Sequence, residues 1–154
     1  MEDRARQLAL RRLTVREYGS NELKSYLIRK GISEEVAAAT VESLCQEKWI
    51  DDQRFIRTVT RAQAGRGKGP LAVAHKLKQK GITADLNDLR THFEESVGES
   101  EDDISRRWLE RKFPEGFPST PAGARDRARA YAGLIRRGFS AEVVSRLIRE
   151  WSRK

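Results

Sequence analysis

The stretch Leu27-Ile28-Arg29-Lys30-Gly31-Ile32-Ser33 returns twice in altered form. The copies are Leu77-Lys78-Gln79-Lys80-Gly81-Ile82-Thr83 and Leu134-Ile135-Arg136-Arg137-Gly138-Phe139-Ser140. Their glycines are 50 and 57 residues apart, a spacing that signals an array of helical units. Apolar residues fall four and eight before each glycine (Leu23/Leu27, Val73/Leu77, Ala130/Leu134), which is one helix stripe. The cation before each glycine complements the carbonyl end of the helix dipole. Gly31, Gly81 and Gly138 can adopt the left-handed conformation that ends a helix, and the Ile or Phe that follows makes the usual apolar contact. Ser33, Thr83 and Ser140 are then expected to N-cap new helices, with Glu35, Asp85 and Glu142 in the first turns.

A helix is also expected ahead of each repeat. The first covers about residues 4–16, with Leu8, Leu10 and Leu13 apolar. The second covers about 52–64, with Phe55, Val59 and Ala62 apolar. The third covers about 101–112, with Ile104, Trp108 and Leu109 apolar. No segment alternates as a strand would. The expected fold is all-α: an elongated, curved array of three tandem three-helix repeats, about nine helices, over residues 1–50, 51–97 and 98–154. Units of this size bury little core alone, so they should stack and expose long sides.

Composition bounds the function. The 154 residues carry a net charge of +8, and 35% are charged, well above the usual quarter. The excess is local. Residues 51–83 hold 8 basic and 2 acidic side chains, and none acidic from Gln53 to Ala84; residues 122–154 hold 9 and 3. The intervening residues 84–121 hold 5 and 10, and so read as an acidic block. The basic blocks point to a polyanion or an acidic protein surface. A single cysteine, Cys45, excludes an internal disulfide framework and suits a reducing compartment. The longest uncharged run, residues 116–124, contains Pro and is too short to span a bilayer. A soluble cytoplasmic protein is expected.

Catalysis has little to stand on. His75 and His92 are isolated on helices, and Cys45 reads as a small apolar residue. No CxxC, HxxxH or HExxH pattern occurs, and the acids around Glu99–Asp103 lack EF-hand spacing, so neither a metal nor a cofactor is expected. Residues 65–70, Gly-Arg-Gly-Lys-Gly-Pro, depart from a nucleotide-binding P-loop; a connector is the simpler reading, with backbone amides that could hold one phosphate as the other. The candidate binding residues are Arg54, Arg57, Arg61, Arg66, Lys68, Lys76, Lys78 and Lys80, the first three at i, i+3 and i+7 of one helix. Arg125, Arg129, Arg136 and Arg137 form a secondary patch.

The run Trp49-Ile50-Asp51-Asp52-Gln53-Arg54-Phe55, then Gly67-Lys68-Gly69-Pro70, then Leu77-Lys78-Gln79-Lys80-Gly81-Ile82 resembles the hallmark of the RecX family, regulators of the RecA recombinase. The resemblance covers nearly the whole chain and is weakest over residues 98–123. Lys68 departs from the aromatic residue common between the two glycines. The resemblance implies a non-enzymatic regulator, a monomer without cofactor, that binds the groove of the RecA filament on single-stranded DNA. There it would inhibit RecA's ATPase and strand exchange and favour disassembly, within homologous recombination, DNA repair and the SOS response. Contact with single-stranded DNA would be weak and salt-dependent. Asp51, Asp52, Phe55, Gly69 and Pro70 are read as structural, and Arg54 as either an ion-pair partner or part of the basic face. The competing reading is a helix-turn-helix protein on duplex DNA. Against it, the helices after the repeated turns open with acids, Glu34/Glu35 and Asp85, which phosphates would repel.

Overall fold

The computed structural model describes residues 2–153. Nine α-helices and one π-helical turn are found among them, and no strand. The helices are α1 (Glu2–Leu13), α2 (Ser20–Arg29), α3 (Glu34–Gln46), α4 (Asp52–Gly65), α5 (Pro70–Gln79), α6 (Leu86–His92), α7 (Glu101–Lys112), α8 (Pro121–Arg136) and α9 (Ala141–Trp151). The π turn, Phe93–Val97, extends α6.

The three repeated turns close identically. In each, the residue after the glycine donates its N–H to the carbonyl five residues earlier: Ile32 to Leu27 (3.0 Å), Ile82 to Leu77 (2.9 Å) and Phe139 to Leu134 (3.2 Å). The glycine N–H donates to Ile28, Lys78 or Ile135, each at 3.0 Å. With φ of +91°, +82° and +90° at Gly31, Gly81 and Gly138, these are three Schellman caps. The stripes they terminate are fully buried: Leu23, Leu27, Val73, Leu77, Ala130 and Leu134 are all 0% exposed.

The chain divides into two compact units, residues 1–58 with Leu77–Thr83, and Val59–Lys76 with residues 84–154; α4 and α5 contribute to both. In the first unit, α1, α2 and α3 pack around Leu23, Leu27, Ile32, Val41 and Leu44. Here α1 turns inward Ala5 and Ala9, not the expected leucines. Leu8, Leu10 and Leu13 only flank the core, because small side chains at i, i+4 allow close helix approach. Asp52 accepts from Ser20 N–H (2.8 Å) and Ser20 Oγ (2.7 Å), so the first residue of α4 caps the start of α2. Asp51 caps α4 itself, accepting from Gln53 N–H at 3.0 Å. Phe55 is buried and packs where Gly19 leaves room for its ring.

The buried face of α4 is rotated from the expected one. Ile56, Thr60 and Ala64 join Phe55 inside, while Val59 is half-buried and Ala62 exposed. In the second unit, Phe93, Leu109, Phe139, Val144 and Leu147 form the centre, each 0% exposed, and α8 and α9 pack as a pair.

Two of the expected caps differ. Ser33 does cap α3, accepting from Val36 N–H, but α6 is capped by Asp85, not Thr83. Ser140 occupies the N-cap of α9 without a capping bond from its own hydroxyl. Its N–H donates instead to buried Glu101, at 2.7 Å. Glu101 also takes Arg90 Nε at 3.1 Å, so a carboxylate from the start of α7 caps a helix 39 residues away.

Candidate nucleic-acid and protein interface

The eight basic residues expected on one stripe separate by local pairing. Arg54 Nε is ion-paired with Glu17, and Arg54 also reaches the Trp49 carbonyl, which ties it within the first unit. Lys80 pairs with Glu22 at 2.6 Å, and Arg16 holds the same carboxylate at 3.0 Å. Burial alone would raise the Glu22 carboxyl, but hydrogen bonds from Arg16 and Lys80 outweigh it and hold the group below its ordinary value. Arg57 is half-buried; Lys78 is exposed beside Arg29 in the shallow cavity against Asn21 and Ser25.

The second unit assembles the rest. A groove of about 460 Å³ between the start of α5 and the end of α8 is lined by Arg66, Lys68, Lys76 and Arg136, with His75, Leu71 and Ile135. Among the described residues, no carboxylate lines it. Leu71 and Ile135 are 44% and 37% exposed, so the groove presents cations around two accessible aliphatic side chains. Backbone pairing builds it: Gly69 N–H donates to the Arg137 carbonyl (2.8 Å) and Leu71 N–H to the Gly138 carbonyl (2.9 Å). A Cβ on Gly69 would lie 2.6 Å from the Gly138 oxygen, so the loop before α5 meets the cap of α8 through glycine on both sides. Pro70 opens α5, where its missing N–H costs nothing.

These bonds overturn the phosphate-cradle reading of residues 65–70. Arg66 and Lys68 N–H groups donate to the Gln63 carbonyl, Gly67 N–H to Ala64, and Gly69 N–H to Arg137. The loop's amides are committed to protein oxygens, leaving the side chains as its anion-binding groups.

The secondary patch divides. Arg136 joins the groove, whereas Arg137 lies over the Trp108 ring at 5.6 Å. Arg129 is ion-paired with Asp126, and Arg125 stands 11 residues before Arg136, about 16 Å along α8, away from the groove.

Sequence reasoning missed Arg107 and Arg111. They sit in the block read as acidic, yet they line a second cavity with Arg61 and Arg66. Part of that block's acid is occupied elsewhere. Asp102 is held by Arg106 at 2.7 Å and ion-paired with Arg146, and Glu150 joins the same network. Burial would raise Asp102, but its two arginines outweigh that and hold it below its ordinary value. The i, i+4 spacing of Arg107 and Arg111 was the available signal; summing charge over the block hid it.

Among the described residues no three His, Cys, Asp or Glu side chains converge as a metal site. Among the described residues, no helix is long and apolar enough to cross a membrane.

Family models for the first and second three-helix domains of RecX match residues 5–44 and 51–88. Regulatory protein RecX of Xanthomonas axonopodis pv. citri is 33% identical over 139 residues, covering 90% of this chain and 82% of that protein. Regulatory protein RecX of Pseudomonas putida F1 is 31% identical over 144 residues, covering 93% and 88%. The crystal structure of RecX from Lactobacillus salivarius superposes with a TM-score of 0.73 at 18% identity, covering 99% of this chain and 97% of that one. A second crystal structure, of regulatory protein RecX, gives 0.74 at 23% identity, covering 97% and 73%. Two matched domains, relatives aligned along nine-tenths of the chain and a shared all-helical fold establish that this chain belongs to the RecX family of regulatory proteins.

Proposed function

We propose that this chain regulates RecA as a non-enzymatic monomer in the cytoplasm, binding the groove of the RecA filament on single-stranded DNA. There it inhibits the ATPase and strand exchange and favours disassembly. Three repeats, at residues 1–50, 51–97 and 98–154, supply the contacts, with Arg57 and Lys78 among the contributing cations. Family membership supports the regulatory role. The observation that carries the binding mode is the carboxylate-free groove of Arg66, Lys68, Lys76 and Arg136. Unopposed cations attract an anionic partner at long range, and several weak contacts along a polymeric partner multiply into useful affinity. The exposed aliphatic pair, Leu71 and Ile135, adds a short-range term suited to a protein partner. The duplex-DNA reading is disfavoured because Glu34, Glu35, Asp85 and Asp88 are exposed at the starts of the helices that would have to face phosphate.

RecA ATPase on single-stranded DNA, titrated with the protein at two salt concentrations, tests this. The variant Lys68→Glu/Lys76→Glu/Arg136→Glu should need about tenfold more protein for half-inhibition at the lower salt, with helicity unchanged. Unaltered inhibition by that variant would remove the groove from the mechanism.

A further inference from the structure

The second cavity, on the α4–α7 side of the second unit, also has a volume of about 460 Å³. Its cations are Arg61, Arg66, Arg107 and Arg111, and Glu99, bound to Arg107 at 2.7 Å, is its one carboxylate. Arg61 and Arg111 are exposed and make no ion pair among the described residues. The wall is Trp108, 8% exposed, whose Nε1 is buried and has no hydrogen-bond partner. A buried donor without an acceptor is costly, and guanidinium groups gathered around one committed carboxylate repel each other. The second of these is relieved by a guest anion rich in acceptor oxygens.

We propose that this cavity is a phosphate-binding site, engaged through Arg61, Arg107 and Arg111. Planar guanidinium groups match phosphate oxygens two at a time, which an ammonium does not. The site reads charge and not base. One face of the Trp108 ring is occupied by Arg137, at 5.6 Å, and the ring edge abuts Gly133, where a Cβ would come within 2.8 Å of the indole. With Trp108 only 8% exposed, too little of the ring is open for a base to stack on, so binding is independent of nucleotide sequence. The phosphate can belong to a strand backbone or to a free nucleotide. The inference rests on the cavity itself and does not require the RecA reading.

Titration calorimetry with inorganic tripolyphosphate, and separately with single strands of mixed sequence and of oligo(dT), tests it without RecA. The variant Arg61→Gln/Arg111→Gln should weaken tripolyphosphate binding at least tenfold, and Lys76→Gln/Arg136→Gln, in the other groove, should leave it unchanged. A strand-backbone site also weakens both oligonucleotides equally in the first variant, with the salt slope falling by about 1.4, roughly 0.7 per lost contact. A free-nucleotide site leaves strand binding intact and weakens tripolyphosphate alone. Failure of the wild-type protein to bind either anion, or equal weakening by both variants, overturns the proposal. RecA inhibition that persists in that case leaves the preceding reading standing.

Discussion

Gly31 and Gly138 share one backbone conformation, with φ of +91° and +90°, but not one environment. A Cβ at Gly31 meets nothing within 4 Å. A Cβ at Gly138 would lie 2.6 Å from Ala72 Cβ and closer still to the Ala72 backbone N. Alanine at either site carries the left-handed penalty of about 1–2 kcal/mol, partly offset by the stiffer unfolded chain, for a net cost of about 1 kcal/mol. At Gly138 the overlap is with backbone, so the loop before α5 must move away, at about 1–3 kcal/mol. That movement also strains the bonds from Gly69 to Arg137 (2.8 Å) and Leu71 to Gly138 (2.9 Å), worth about 1 kcal/mol each. Gly31→Ala should therefore cost about 1 kcal/mol and Gly138→Ala about 3–5 kcal/mol. Urea unfolding followed by circular dichroism measures both. The groove is built on the same junction, so Gly138→Ala should also weaken RecA inhibition at temperatures where it remains folded, while Gly31→Ala should not. Equal costs for the two substitutions, within about 0.5 kcal/mol, would refute the claim that the α5–α8 junction is held by glycine on both sides.

Glu101→Ala leaves the Ser140 N–H and Arg90 without their shared acceptor and should cost about 3 kcal/mol in urea unfolding, with Glu101→Gln milder because it keeps an acceptor. A cost below about 1 kcal/mol would show that α9 does not depend on this cap. Asp102 has a depressed carboxyl in the folded protein, so its contribution is full above the unfolded value, about 4, and is lost as pH falls through the lower folded value. The urea midpoint of the wild-type protein should thus drop more steeply below about pH 4 than that of Asp102→Asn. Parallel curves would exclude the Arg106–Asp102–Arg146 network as a source of acid sensitivity.

The all-helical fold was legible because its decisive signal is local. A Schellman cap is completed by bonds spanning six residues, so Leu27–Ile32, Leu77–Ile82 and Leu134–Phe139 specify their own helix ends whatever packs around them. The six stripe residues before the glycines were legible for the same reason, since spacing along one helix places them on one face. Pattern failed where two faces of a helix were both plausible. On α4, Ile56 and Thr60 lie inside in preference to Ala62, and on α1 two alanines displace the leucines; helix approach decides this, and a single segment does not encode its neighbour.

Charge was legible as an inventory and not as an arrangement. Sequence alone showed that residues 53–84 carry cations and no acid. Tertiary contacts then spent Arg54 on Glu17 and Lys80 on Glu22, brought Lys68 and Lys76 beside Arg136, and recruited Arg107 and Arg111 from a block that sums to negative charge. Lys68 and Arg136 are 68 residues apart, and their meeting depends on two backbone hydrogen bonds made across a pair of glycines. Helix ends follow from nearest neighbours in the chain, whereas a binding face follows from which distant side chains find acids and which are left without them.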